Sequence, residues 1–201
     1  EFEPVAAAYL YESTLERDEL ILIGDLGGGT TDFSLVHVGP GVRKNRSRAD
    51  SLVGTAGLAV AGDNLDAAIV RNIVAPAFGR GTTATSMFGN TVRVPNWIYG
   101  HLERWNHRSF LRSRKTLQLL HDLTREAEDG TPFEGLLYLV REELGFQLYR
   151  SVQATKLALT TDTETEFVFQ EGPIDIQQRV TRADFDAWIA GDLVAMEECL
   201  D

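Results

Sequence analysis

Apolar residues recur along this chain in two rhythms, one of period two and one near 3.6, and most of its elements can be read from them. The run Leu20 to Ile23 is apolar and ends at Asp25; after three glycines and two threonines, Asp32 to Val38 is apolar again. Two such runs around a glycine turn predict a β-hairpin of Leu20–Asp25 with Asp32–Val38. Ala49–Leu58 predicts a third strand, and Gly39-Pro40-Gly41 ends the hairpin pairing. Leu65, Ile69 and Ile73 stand four apart and predict a helix over Gly62–Phe78, with Asp63 in its first turn and Pro76 ending or kinking it. Gly79–Asn96 is rich in Gly and Thr and reads as a loop. Leu117, Leu120, Leu123 and Ala127 form one stripe and predict a helix over His101–Ala127 whose stripe faces a neighbouring helix.

Further along, Gly130-Thr131-Pro132 breaks that helix. Phe133–Leu144 and Gln147–Thr160 predict two helical segments that could run on through Gly145. Glu164–Gln170 and Ile174–Val180 alternate as strands about Gly172-Pro173. Thr181, with Asp184 three residues on, predicts a capping box for a helix over Arg182–Leu200. Near the start, Pro4 suits the first turn of a short helix, Val5–Glu12. These elements predict two parts. The first is a mixed sheet with flanking helices, 1–62 plus 181–201. The second is a helix-rich part with a small hairpin, 63–180.

The stretch Leu20–Leu35, LILIGDLGGGTTDFSL, carries the chemistry. Glycine lacks a Cβ and reaches φ > 0, so Gly27, Gly28 and Gly29 are expected to bend tightly and gather their N–H groups into an anion-binding nest. Asp25, at a strand end, is placed to hold hydrated Mg²⁺, and Thr30 offers a hydroxyl to a phosphate oxygen or a metal-bound water. Phosphoryl transfer asks mainly for positioning and charge stabilisation, which such groups supply. The plain alternative is a hairpin that is merely glycine-rich. The acid before the glycines and the threonine after them favour phosphate. There is no Gly-x-x-x-x-Gly-Lys-Ser/Thr, and no Gly-x-Gly-x-x-Gly that opens a helix after a strand.

Read as a motif, DLGGGTTDFS resembles the second phosphate motif of the DnaK-type heat-shock chaperones, in the actin-like ATPase superfamily. Other segments resemble that family in the same order. They are Glu3-Pro4 with Ala6-Ala7-Ala8, Gly62-Asp63-Asn64-Leu65-Asp66, Gln153 to Thr160, and Val180-Thr181-Arg182-Ala183-Asp184-Phe185. Residues 79–140 match poorly, and that insertion resembles the divergent YegD-type branch. The resemblance implies an α/β fold, one lobe of an actin-like (ribonuclease H-like) ATPase, with nucleotide between lobes. It implies that Asp25 orders metal-bound water, that Thr30 lies beside the γ-phosphate, and that Glu3 helps organise the attacking water. Gly27, Gly28, Gly29 and Gly62 would be phosphate and nucleoside contacts. Gln153, Lys156 and Thr160 would be adenosine contacts. The cofactors implied are ATP or ADP with Mg, and the partners are the nucleotide, the absent first lobe and client or co-chaperone proteins.

This chain also departs from the family pattern. Gln153 replaces a Glu, although an amide still hydrogen-bonds a ribose. Leu157 replaces an Arg that would stack on adenine, and the cation–π contribution goes with it. Ala61 replaces the first of two glycines.

Composition narrows the partners. The chain has 201 residues, 43% of them hydrophobic, and a net charge of −11, which argues against an extended nucleic-acid interface. Basic residues cluster twice, at Arg43-Lys44-Arg46-Arg48 and from Arg104 to Lys115. Both read as solvated faces, the second also as a modest candidate for an acidic protein partner. Apolar runs fall short of a membrane span, and no signal peptide opens the chain. Cys199 is the sole cysteine, so a cytoplasmic setting is expected and Cys199 reads as structural. His37, His101, His107 and His121 lack metal-ligand spacing, and no Gly-x-Ser-x-Gly elbow supports a hydrolase.

The family's upstream phosphate turn and catalytic lysine, and its second adenosine motif, do not appear here. The expectation is therefore an excised half of a nucleotide-binding domain that hydrolyses ATP poorly alone. The alternatives are a nucleotide-sensing interaction protein with little or no turnover and, third, a small-molecule kinase of the same superfamily.

Overall fold

A computed structural model describes residues 3–44, 51–85, 91–104, 111–127 and 129–200; among them the side chains of 3–6, 83–85 and 91–93 are left aside. The chain divides into two compact units, Glu1–Asn64 with Ala190–Asp201, and Leu65–Ile189. Helices and sheets together make it an α/β protein.

In the first unit, helix α1 (Glu3–Glu12) precedes strands β1 (Glu19–Leu26) and β2 (Thr31–Val38). These pair antiparallel in full register, from Glu19 opposite Val38 to Leu26 opposite Thr31. After a short helix α2 (Pro40–Lys44), strand β3 (Leu52–Leu58) pairs antiparallel on the other side of β2, with a register shift between Leu35 and Val36. The expected mixed sheet is corrected here: among the described residues these three strands pair only antiparallel. Parallel neighbours need a crossover that returns the chain to its starting end, and neither link provides one.

Period-two alternation sends Ile21, Ile23, Val36 and Val38 to one face, where they pack with Ala8 and Leu15 in a small core. Buried Glu12 accepts from the Gly39 N–H at 3.2 Å, and Asp18 accepts from the Gly41 N–H at 2.7 Å. These contacts explain why α2, unforeseen from the sequence, starts at Pro40. Arg46 and Arg48 of the first basic cluster, and the expected strand start at Ala49, lie outside the described residues.

The helix expected over Gly62–Phe78 is α3 (Gly62–Ile69), a wider π segment (Val70–Val74) and α4 (Ala75–Ala77). The Ala75 N–H reaches back five residues to the Val70 carbonyl. Pro76 cannot donate to Asn72, and its ring would crowd that carbonyl in a regular helix. The wider turns accommodate it, and the helix ends at Ala77, three residues beyond the π segment.

The second unit holds one large core, in which Ile69, Ile73, Phe78, Ile98, Tyr99, Leu120, Phe133, Leu136, Val152 and Phe167 are fully buried or nearly so. The loop expected over Gly79–Asn96 instead contains a two-stranded hairpin, β4 (Thr83–Thr85) with β5 (Thr91–Arg93). The helix expected over His101–Ala127 starts earlier and is broken, as α5 (Asn96–Leu102) and α6 (Arg114–Glu126). Ser113 caps α6 by accepting from the Thr116 N–H at 3.1 Å. Tyr99 explains the early start. Its hydroxyl donates to the Phe78 carbonyl at 2.9 Å, and burial pushes the phenol up to about 12 against the opposing pull of Arg80.

Helices α7 (Thr131–Arg141) and α8 (Gly145–Thr161) are separate. Glu143 takes φ 59° between them, and the Leu144 N–H closes on the Leu139 carbonyl at 3.1 Å. That is a Schellman stop with glutamate in the left-handed seat. Strands β6 (Glu164–Glu171) and β7 (Ile174–Thr181) form the foreseen hairpin, followed by α9 (Arg182–Glu198). The capping box is present: the Asp184 N–H donates to Thr181 Oγ1 at 3.1 Å, and the Thr181 N–H donates to Asp184 Oδ2 at 3.1 Å.

Candidate functional site

The β1–β2 turn is built from residues with little contact of their own. Gly27 donates its N–H to the Thr30 carbonyl at 2.9 Å and closes the turn. The carbonyls of Gly27 and Gly28 face the start of α3, accepting from the Gly62 N–H at 3.2 Å and the Asp63 N–H at 2.7 Å. With its carbonyls so engaged, the turn leaves the N–H groups of Gly28 and Gly29 without an acceptor among the described residues. The Thr30 hydroxyl likewise has no partner there, and residues 27–30 are exposed.

One expectation about these glycines is corrected. None of the three uses positive φ; the described glycines that do are Gly39, Gly79, Gly81 and Gly172. What the turn draws on is the missing Cβ. At Gly27 a Cβ would come 3.3 Å from the Thr30 carbonyl, and at Gly62 one would come 3.3 Å from the Gly27 carbonyl. At Gly28 a Cβ would meet Asp63 only at 3.5 Å, and at Gly29 nothing lies within 4 Å. The fold itself therefore makes no demand for glycine at 29 and a slight one at 28.

Asp25 stands on the core-facing side of β1, in the row that begins Ile21, Ile23, so it occupies a half-buried seat where the period calls for an apolar residue. Directly opposite it on β2 is Asp32, which sequence reasoning passed over. Residues in register across an antiparallel pair share a face, so the two acids stand on one face at the mouth of the hairpin. Gly57 on β3 flanks them, and a Cβ there would collide with Asp32 Oδ1. The signal for Asp32 was present in the sequence: Asp25 and Asp32 are equidistant from the turn centre. Like charges in register on neighbouring strands disfavour the pairing.

Glu3 opens α1, but its side chain lies outside those described. In the second unit, Gln153, Lys156, Leu157 and Thr160 stand at helical spacings of three and four on α8 and so share one stripe. Gln153, Leu157 and Thr160 are exposed, Leu157 to 70%. The Thr160 hydroxyl donates to the Leu157 carbonyl of its own helix at 2.6 Å. Lys156 is held from below: its Nζ lies 2.6 Å from Oδ1 of buried Asp66, whose Oδ2 accepts from the Tyr149 hydroxyl at 2.7 Å. Neither Asp66 nor Tyr149 was singled out from sequence for this role.

Among the described residues no group of three or more His, Cys, Asp or Glu side chains is arranged to hold a metal ion, and no helix is long and apolar enough to cross a membrane. His107 lies outside the described residues.

No protein-family model matches the chain. The chain is similar to the chaperone protein dnaK of Thalassiosira pseudonana, with 41% identity over 73 residues. That segment is 36% of this chain and 11% of the relative. The similarity to a DnaK-type chaperone is therefore partial, and the chain matches about a tenth of that relative's length.

Proposed function

We propose that this chain is a lobe of an ATP- or ADP-binding, chaperone-like ATPase of the actin-like superfamily, in its divergent YegD-type branch and acting in the cytoplasm. The observation that carries this reading is the turn at 27–30, exposed, with donors at Gly28 and Gly29 unsatisfied and with a glycine at 29 that the fold does not require. A backbone kept bare of Cβ atoms, with free amides, suits the close approach of phosphate oxygens. The partial likeness to a DnaK chaperone supports the same reading.

The residues present fit phosphate with a divalent cation. Mg²⁺ would neutralise charge building on the phosphates while keeping most of its water. The Gly28 and Gly29 amides would bind phosphate oxygens. Asp25 and Asp32 would orient the waters around the cation, and the exposed Thr30 hydroxyl would donate to a phosphate oxygen. Glu3 is assigned to the attacking water by resemblance alone. On α8, the Lys156 ammonium and the Gln153 amide would offer donors to ribose hydroxyls, with Thr160 beside them and Gly62 as a further nucleoside contact.

Calorimetry with Mg-ADP, paired with steady-state ATP turnover, tests this reading. The chain should bind Mg-ADP, Asp25→Ala should weaken binding about tenfold, a loss of roughly 1.4 kcal/mol, and turnover should be slight. Binding that ignores Asp25 would overturn the assignment.

A second reading is a nucleotide-sensing interaction protein with little turnover. It is favoured by Leu157, an exposed apolar residue in the middle of the α8 stripe, where no guanidinium is present to stack on a base. If the full-length parent binds ATP and its turnover is indifferent to Asp25, this second reading holds.

A further inference from the structure

The second unit carries a basic pocket that the nucleotide reading does not use. It lies between α6 and α7 and encloses a cavity of about 360 Å³, inside the size range of ligand sites. From α6, Arg114, Leu117, Gln118 and His121 recur at spacings of three and four and line one wall. Leu137 and Arg141, one turn apart on α7, line the facing wall, and Arg112, just before α6, also lines the cavity.

The charges of this pocket are poorly balanced from within. Arg112 meets Glu143 at 2.6 Å, and both are more than half exposed. His121 Nδ1 lies 3.9 Å from Asp122 Oδ1, beyond hydrogen-bond reach. Arg114 and Arg141 have no carboxylate partner among the described residues. In a chain of net charge −11, guanidinium groups left unpaired around a single cavity run against the overall balance. Arginine forks match carboxylates in bidentate fashion. Gln118 is already engaged, its Nε2 donating to Asp122 Oδ1 at 2.9 Å.

We propose that this pocket binds an acidic peptide segment of a partner protein, one that sets an apolar side chain between carboxylates. The leucines decide for a peptide over a bare anion. Leu117 and Leu137 give the cavity apolar walls that a phosphate ion would leave uncovered, whereas a leucine-sized side chain would fill them while its neighbours' carboxylates reach the arginines. The site lies in the stretch 79–140 and just beyond it, and it stands independently of the glycine turn.

Fluorescence anisotropy on the whole chain tests this, with a labelled synthetic peptide Glu-Asp-Leu-Asp-Glu as probe. The expected result is saturable binding that falls with added salt. The double variant Arg114→Glu/Arg141→Glu should weaken it at least about tenfold, and replacing the peptide's leucine by serine should weaken it about fivefold. Arg114→Gln/Arg141→Gln serves as the second variant if charge reversal disturbs the thermal melt. No saturation by about 1 mM peptide, equal binding by a folded double variant, or tighter binding of a single-stranded oligonucleotide of the same charge would each overturn the proposal.

Discussion

Lys156 Nζ lies 2.6 Å from Oδ1 of Asp66, a carboxylate only 3% exposed that also accepts from the Tyr149 hydroxyl. The pair joins the middle of α8 to the first turns of α3, far apart in sequence. Removing one member strands the other. Lys156→Met should cost about 2–3 kcal/mol, because it leaves a buried charge with a single neutral donor. Lys156→Met combined with Asp66→Leu should recover much of that loss. Urea denaturation of both singles and the double closes the cycle, and additive losses would show that the two side chains are not coupled.

Two glycines should respond in opposite ways to alanine. At Gly172, φ is 53° and a Cβ would press into the Tyr138 ring, so Gly172→Ala should destabilise by about 2 kcal/mol. At Gly29 nothing lies within 4 Å and φ is not positive, so Gly29→Ala should leave stability unchanged or raise it by up to about 1 kcal/mol. Thermal melts of the two variants settle the contrast.

Asp25 and Asp32 stand in register on one face of β1 and β2, with no positive charge in the neighbouring register positions. Asp32→Asn should therefore stabilise the metal-free chain, by a few tenths to about 1 kcal/mol. The same change should weaken the response of its melting temperature to added Mg-ADP. A variant that melts lower than the parent would contradict the opposed-charge account.

Helix α9 should show an acid-sensitive start. The hydroxyl of Thr181 and then its backbone N–H donate to the Asp184 carboxylate and hold it below its usual 3.8. A depressed folded value means that the contribution is present above the ordinary carboxylate range and is lost as pH falls through the depressed one. Wild type should thus melt above Asp184→Ala at about pH 6, and the gap should close as the pH drops below about 4. A gap that stays constant would mean that the cap does not depend on ionisation.

The long elements were legible in the sequence wherever one period governed them. Apolar runs about the glycine turn gave β1 and β2, and alternation gave β6 and β7, nearly to the residue; Thr181 with Asp184 announced α9. The misses have particular causes. Strands β4 and β5 are three residues each, too short for alternation to register. The break between α7 and α8 rests on Glu143 in a left-handed seat, which glycine usually announces and glutamate does not. The early start of α5 follows from the buried Tyr99, a tertiary contact.

At the site, the turn was found from its residue types; of the two reasons given for its glycines, positive φ does not apply, while the missing Cβ is used by the fold at Gly27. Asp32 was overlooked because only register shows that it faces Asp25, and Asp66 because it lies 83 residues from Tyr149.

The central claim is that the Gly28 and Gly29 amides are left open for phosphate. Two-dimensional ¹H–¹⁵N NMR of the chain, titrated in parallel with Mg-ADP and with adenosine, tests it most directly. The account predicts saturable shifts of the Gly28 and Gly29 resonances with Mg-ADP and none with adenosine. Unmoved glycine amides while Mg-ADP shifts resonances elsewhere, or equal shifts with adenosine, would contradict it.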